Sequence, residues 1–257
     1  MLRGSDLWTP WTAGARRGGF AVYCFPWAGG GASGFRGLAE AALNAGVTLH
    51  PIEYPGHESR FGEAPAPSLE LLAEAIVEDL APTWAGTNFA FLGHSFGAKV
   101  AFRAAQLLEG KGLPGPKTVL LSAAFPPGSW PAEPLSILAD APLLQRLASL
   151  GGLARVGAED ELLRLMLPTI RSDLALAEAW TPSDRRPLRA NVVGLAGAAD
   201  AFAPPAAVRC WEKFAAGGFA LRVFEGGHFF LDANGPEILA LCRLEQEDFA
   251  RETPSHE

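Results

Sequence analysis

The chain has 257 residues, 49% hydrophobic and 19% charged, with 21 Lys and Arg against 28 Asp and Glu for a formal net charge of −7. Such a composition can build a sizeable core and excludes a disordered chain. The acidic balance argues against nucleic acid as a partner, because proteins that grip phosphates carry a basic excess or stripe.

In chain order, a nearly continuous apolar run predicts a strand over Phe20–Phe25, followed by a helix over about Phe35–Ala45. A strand over Val47–Tyr54 and a helix over Leu69–Leu80 come next, then a strand over Asn88–Leu92 and a helix over Gly97–Leu108. Thr118–Leu121 reads as a strand. After a long interval come a strand over Asn191–Leu195, a helix over Ala206–Ala215, a strand over Phe219–Phe224 and a last helix near Pro236–Phe249. Runs that stay apolar rather than alternating suit strands covered on both faces. The alternation of strand and helix predicts an α/β protein, a mostly parallel sheet flanked by helices, in one domain over residues 1–257.

Pro126 to Pro187 breaks this rhythm. It holds no convincing strand, is rich in Leu at helical spacing (Leu143, Leu144, Leu147 and Leu150 among them), and is fenced by prolines at 126, 127, 131, 134, 182 and 187. So long an insertion between two strands is expected to form a helical lid over the strand ends, where open α/β sheets bind ligands. Most of its leucines are expected to pack the lid on the body, and a minority to line a pocket. Cys24, Cys210 and Cys242 are widely spaced, with no C-x-x-C pair, which fits reduced thiols rather than a disulfide framework or a zinc site. The N-terminal stretch lacks an apolar signal core, and no run of about 18 apolar residues occurs, so a cytoplasmic protein without a membrane span is expected.

The strongest chemical signal is Gly93-x-Ser95-x-Gly97 between an apolar strand and a helix. As a bare pattern it is weak; in that context it reads as a nucleophile elbow, whose strained turn needs small flanking residues. A serine hydroxyl also needs a base held by an acid. Of the five histidines, His256 lies in the tail, His50 in a strand, His94 beside the serine and His57 in an earlier loop. His228, behind Gly226-Gly227 and after the last strand, is the candidate base. Asp200, just past the strand that precedes it, is the candidate acid. Asp232, four residues after His228, is the rival and is expected to face solvent or cap a helix. The order Ser95, Asp200, His228 is that of the α/β-hydrolase arrangement. Oxyanion donors are expected from the backbone N–H of Phe96 and from that of Ala28, in the glycine-rich loop Ala28-Gly29-Gly30-Gly31. That loop lacks the Lys-Ser/Thr of a phosphate-binding P-loop, and no His/Cys cluster has metal-ligand spacing, so neither cofactor nor metal is expected. The basic islands Arg16-Arg17 and Arg185-Arg186 with Arg189 read as solvated surface or as local anchors for an acidic partner.

Taken together, Phe25-Pro26-x-Ala28-Gly29-Gly30, Tyr54-Pro55-Gly56-His57-Glu58-Ser59-Arg60, Gly93-His94-Ser95-Phe96-Gly97 and Gly226-Gly227-His228-Phe229-Phe230 resemble the stand-alone type II thioesterases of polyketide synthases and nonribosomal peptide synthetases. The resemblance runs from about residue 20 to 245. It implies an α/β-hydrolase fold with a helical lid and hydrolysis of acyl groups from the phosphopantetheine arm of acyl or peptidyl carrier proteins, with no cofactor, as a monomer. Trp27 departs from the family pattern, where histidine is common, and His57 stands where arginine is more usual. The first departure puts substrate preference at issue. The alternatives are an esterase acting on free small-molecule or lipid esters, an acyltransferase that passes the acyl group to an alcohol or amine, and a non-catalytic binding protein on the same scaffold.

Overall fold

A computed structural model of the chain describes residues 4–14, 20–130, 133–151, 161–182 and 184–243. Pro131, the Arg16-Arg17 pair, His256 and the end of the last predicted helix lie outside these residues.

The chain opens with α1 (Gly4–Trp8) and a two-residue edge strand β1 (Ala13–Gly14), both too short to show as a pattern in the sequence. Then come β2 (Phe20–Phe25), α2 (Ala39–Ala45), β3 (Val47–Pro51), α3 (Leu69–Trp84), β4 (Phe89–His94), α4 (Phe96–Gly110) and β5 (Thr118–Ser122). The insertion contributes α5 (Asp140–Ser149) and α6 (Glu161–Ala179). It is followed by β6 (Asn191–Gly197), α7 (Pro205–Arg209), β7 (Phe219–Phe224) and α8 (Gly235–Leu241). The six predicted strands are all present. The helix expected over Phe35–Ala45 divides into a 3-10 turn over Ala32–Leu38 and α2, and that over Ala206–Ala215 into α7 and a 3-10 turn over Cys210–Phe214. β3 ends earlier than expected, at Pro51, which has no N–H to continue a ladder.

The strand order is β1-β3-β2-β4-β5-β6-β7, and every pair is parallel except β1 with β3. Side chains alternate even though both faces are covered. Tyr23, Phe25, Phe89, Phe91, Val119 and Leu121 face one core with α3 and α4, while Val22, Cys24, Ala90, Leu92 and Leu120 face another with α2 and α8. The insertion makes a third cluster, in which Leu135, Leu143, Leu163, Leu167, Ile170 and Leu174 pack with Phe202 and Ala203 from the loop after β6. Among the described residues, no helix is long and apolar enough to cross a membrane.

The sheet order reverses at β2, whose successor β3 lies on one side and β4 on the other. A crevice opens at the carboxyl ends of strands at such a switch point. The loop after β2 carries Ala28, and the turn after β4 carries Ser95.

Candidate active site

Ser95 sits between the last residue of β4 and the first of α4 with φ 55° and ψ −116°. An L-residue held in so sparse a region costs about 1–3 kcal/mol and persists only where surrounding contacts over-determine it. The contacts are backbone ones. The Ser95 N–H donates to the Ser122 carbonyl at 2.8 Å, and the Ala98 N–H donates to the Ser95 carbonyl at 3.1 Å. A Cβ on Gly93 would lie 2.4 Å from the Gly97 carbonyl oxygen, and one on Gly97 would lie 2.1 Å from that of Phe25. The two glycines are therefore required by the approach of β4, α4 and the loop after β2. Phe96 opens α4, so its N–H is among the amides that have no acceptor within the helix.

β6 and β7 deliver the acid and the base. Asp200 and His228 are buried, 3% and 4% exposed. Asp200 Oδ1 accepts the N–H groups of Phe202 and Ala203 at 2.9 and 3.1 Å, which leaves Oδ2 to face His228 Nδ1 at 2.8 Å. Burial alone would push the Asp200 carboxyl up. The His228 hydrogen bond and charge, with the two backbone donors, outweigh it and hold the carboxyl below its usual range. An ionised carboxylate can only accept, so the imidazole proton sits on Nδ1 and Nε2 carries the lone pair. The glycines before His228 also have a steric cause. A Cβ on Gly197, at the end of β6, would lie 2.2 Å from the Gly227 carbonyl oxygen.

Ser95, Phe96, Ala28 and His228 line one cavity of about 80 Å³, with Asp200 directly behind His228. Its far wall is apolar and comes from the insertion, through Leu147 and Leu150 of the α5 end and Leu163, Met166, Ile170 and Leu174 of α6. The leucine-rich segment therefore both packs on the body and lines the pocket. Trp27, from the loop after β2, lines this cavity and also a second, larger one of about 550 Å³, which reaches Gly34, Phe35, Gly151 and the Glu225–Ala233 loop. Its indole rests on two glycines, since a Cβ on Gly30 or Gly34 would come within 2.8 or 2.4 Å of the ring.

The other candidate groups do not enter the cavity. His94 is fully buried and its Nδ1 meets Ser122 Oγ at 2.9 Å; burial and the neighbouring His228 hold its pKa well below the ordinary imidazole range. His50 of β3 stacks on Tyr23 of β2, and burial lowers the His50 pKa to about 4. Asp232 is exposed and packs beside Gly37. The basic island is already paired within the chain, with Arg186 on Asp184 at 2.7 Å and Arg189 near Glu109 at 3.6 Å.

Two features beside the cavity escape a reading of the sequence. Glu58, at φ 36°, turns its carboxylate onto the Ser33 hydroxyl and N–H, bracing the loop that carries Ala28. Asp173 of α6 is 3% exposed and joins His57 to the Gly29 N–H. The signal that marks Asp173 is a carboxylate on the apolar face of a helix, three residues after Ile170 and four before Ala177.

A family model for the thioesterase domain matches residues 20–244. The chain is 36% identical over 235 residues to the thioesterase PikA5 of Streptomyces venezuelae, covering 91% of this chain and 83% of that one. Among solved structures, the RedJ thioesterase from the prodiginine pathway of Streptomyces coelicolor matches with a TM-score of 0.78 at 32% identity, over 86% of this chain and 84% of its own. The type II thioesterase BorB from the borrelidin biosynthetic cluster matches with a TM-score of 0.80 at 30% identity, over 94% of this chain and 97% of its own. The chain therefore belongs to the thioesterase family, serine hydrolases built on the α/β-hydrolase fold.

Proposed function

We propose that the protein hydrolyses acyl thioesters carried on the phosphopantetheine arm of acyl or peptidyl carrier proteins, using Ser95, His228 and Asp200 as a catalytic triad. The observation that carries this reading is the convergence of a strained Ser95 and the Asp200-held His228 on one cavity with an apolar wall. His228 Nε2 takes the Ser95 hydroxyl proton as Oγ attacks the thioester carbonyl carbon. The resulting oxyanion receives hydrogen bonds from the backbone N–H groups of Ala28 and Phe96, both of which border the cavity beside Ser95. The intermediate collapses as the C–S bond breaks and the pantetheine thiol leaves with the proton from His228. Water then attacks the acyl-enzyme, His228 taking one of its protons, and the acid departs as the Ser95 hydroxyl is restored. Asp200 keeps the imidazole in the required tautomer and stabilises the imidazolium between steps.

The same reading treats residues 1–257 as one catalytic domain, a cytoplasmic monomer, with a lid over about 126–187 formed around α5 and α6. The kinship with PikA5, with RedJ of the prodiginine biosynthetic pathway and with BorB of the borrelidin biosynthetic cluster supports a carrier protein as the partner. The test compares one acyl group on a carrier protein, on a short pantetheine thiol and on a simple oxygen ester, with wild type and Ser95→Ala side by side. Preference for the carrier-bound thioester and a loss of about 10⁴–10⁶ in kcat for the variant are expected. Preference for the oxygen ester would leave the triad in place and remove the carrier protein from the proposal. Near-normal turnover by Ser95→Ala would remove both.

A further inference from the structure

His57 and Asp173 have no part in the proton transfers above, yet they form a buried polar pair 116 residues apart in the chain, with His57 Nε2 2.8 Å from Asp173 Oδ2. They are 4% and 3% exposed. A pair removed from water to this degree is costly unless its remaining hydrogen-bonding positions are met. Two of them are met here by backbone. The same Asp173 oxygen accepts the Gly29 N–H at 2.8 Å, and His57 Nδ1 lies 3.1 Å from the Pro55 carbonyl oxygen.

Both His57 nitrogens thus face acceptors, a carboxylate and a carbonyl. A neutral imidazole can donate from one nitrogen, whereas an imidazolium donates from both. Burial by itself pushes the imidazolium toward losing its proton. The Asp173 hydrogen bond and charge, with the Pro55 and Tyr54 carbonyls, outweigh that and raise the pKa above the ordinary value. The other charged groups nearby are engaged elsewhere. Glu58 binds Ser33, Arg60 binds Glu63 and the Glu53 carbonyl, and Arg171 of α6 binds Asp140. The Tyr54 ring packs edge-on to His57, with its hydroxyl toward the Pro26 carbonyl.

The location gives the pair its consequence. Gly29 follows Ala28, and its φ of 71° is one that glycine adopts without strain. Ile170 of α6 sits so close to it that a Cβ on Gly29 would lie 2.2 Å from the Ile170 Cγ1 atom. The hydrogen bond from the Gly29 N–H therefore fixes the peptide plane on the carboxyl side of Ala28 against α6. Thr169 Oγ1 adds a parallel link from α6 to the Gly56 carbonyl at 3.3 Å.

We propose that His57 and Asp173 are positioning residues for the oxyanion loop, anchoring the Ala28–Gly29 peptide, and through it the orientation of the preceding Ala28 N–H, only while α6 is seated on it and His57 is protonated. The proposal rests on the reading of Ala28 as an oxyanion donor. Its consequence is that seating the insertion and completing the oxyanion site are one event, so that a tetrahedral intermediate is stabilised when the cavity is closed and not before. Turnover then has an alkaline limb. As pH rises through the raised His57 pKa, the link loses its charge and kcat falls.

The test uses the full-length enzyme and the variants His57→Gln and Asp173→Asn, with thermal melting to show that each is folded. His57→Gln keeps a donor where Nε2 stands but carries no charge. Steady-state rates on an acyl-pantetheine thioester are expected to show kcat reduced about 10–100-fold with KM within about threefold of wild type. The alkaline limb in kcat should vanish in His57→Gln. Affinity for an alkyl trifluoromethyl ketone, which forms a tetrahedral adduct with the serine, should fall in step with kcat, while affinity for an alkyl pantetheine thioether, which has no carbonyl for the serine to attack, stays level. A purely structural pair would lower melting temperature and leave the ratio of the two affinities unchanged, which overturns the proposal. So would an alkaline limb that survives in His57→Gln. Failure of the triad itself is recognised separately, by turnover in Ser95→Ala.

Discussion

The Ser95 turn and the Ala28 turn border the same cavity but are held there differently. Around Ser95 the constraints are backbone against backbone. Gly93 lies against Gly97, Gly97 against Phe25, and the Ser95 N–H is tied to the adjacent strand. Around Ala28 they are side chains that arrive from elsewhere, Glu58 on Ser33 and Asp173 on Gly29. Backbone contact between neighbouring strands and a helix leaves no adjustable parts. A carboxylate on a separate helix can let go when that helix moves, so the second turn can respond to the insertion while the first cannot.

The sharpest way to break this contrast is Gly97→Ala. The new methyl group would meet the Phe25 and Pro26 carbonyl oxygens at 2.1 and 2.5 Å, and neither can move without disturbing the sheet. We expect a loss of at least about 3 kcal/mol in unfolding free energy, together with loss of turnover, read by denaturant unfolding and by rate. A folded, active Gly97→Ala enzyme would show that the turn has slack.

The same contrast explains what can be read from the amino-acid sequence. Gly93-x-Ser95-x-Gly97 and Gly226-Gly227-His228 are visible because close backbone approach restricts residue type locally, and the Asp200 position is visible because it ends a recognisable strand. The oxyanion candidates follow from the glycines beside them. His57–Asp173 is not visible, because its members lie in segments whose spacing carries no mutual information and whose meeting depends on how α6 packs. The Tyr54–Arg60 segment stands out as a motif without its purpose showing. In the fold that purpose is bracing, with Glu58 and His57 on the Ala28 loop, and Arg60 on Glu63 and beneath Trp8. The long insertion shows as leucine spacing, but the division of those leucines between packing and pocket emerges only with α5 and α6 in place.

A smaller effect concerns Trp27. Its indole lines both the inner cavity of about 80 Å³ and the outer one of about 550 Å³, as do Leu150, His228 and Phe229, and it packs edge-on to Phe35, His94 and Phe229. Trp27→Ala joins the two. The ratio of kcat/KM for an octanoyl over an acetyl pantetheine thioester should rise about tenfold, because added methylenes gain apolar surface to bury. An unchanged ratio would mean that chain length is limited by the α5 and α6 wall instead.

The smallest effect tests a second link between the rigid turn and the insertion. Lys99, one helical turn beyond Ser95, is buried, and its Nζ donates to the Ala177 carbonyl at 2.8 Å, in the last turn of α6. The ammonium also lies 4.7 Å from the centre of the Trp130 ring. Burial lowers the Lys99 pKa from 10.5 to about 8, outweighing the opposing pull of the Glu178 carboxylate. The sign for stability follows from proton binding. Between about pH 8 and 10.5 the unfolded chain holds this proton more firmly than the folded one, so wild type gains stability as pH rises through that window. Lys99→Met fills similar space without the charge and has no such dependence. The melting temperature of wild type relative to Lys99→Met should therefore climb from pH 7.5 to about 10.5. A difference that stays level over this range would show that the ammonium is satisfied where it lies, with Ala177 and Trp130 fully replacing the water it has lost.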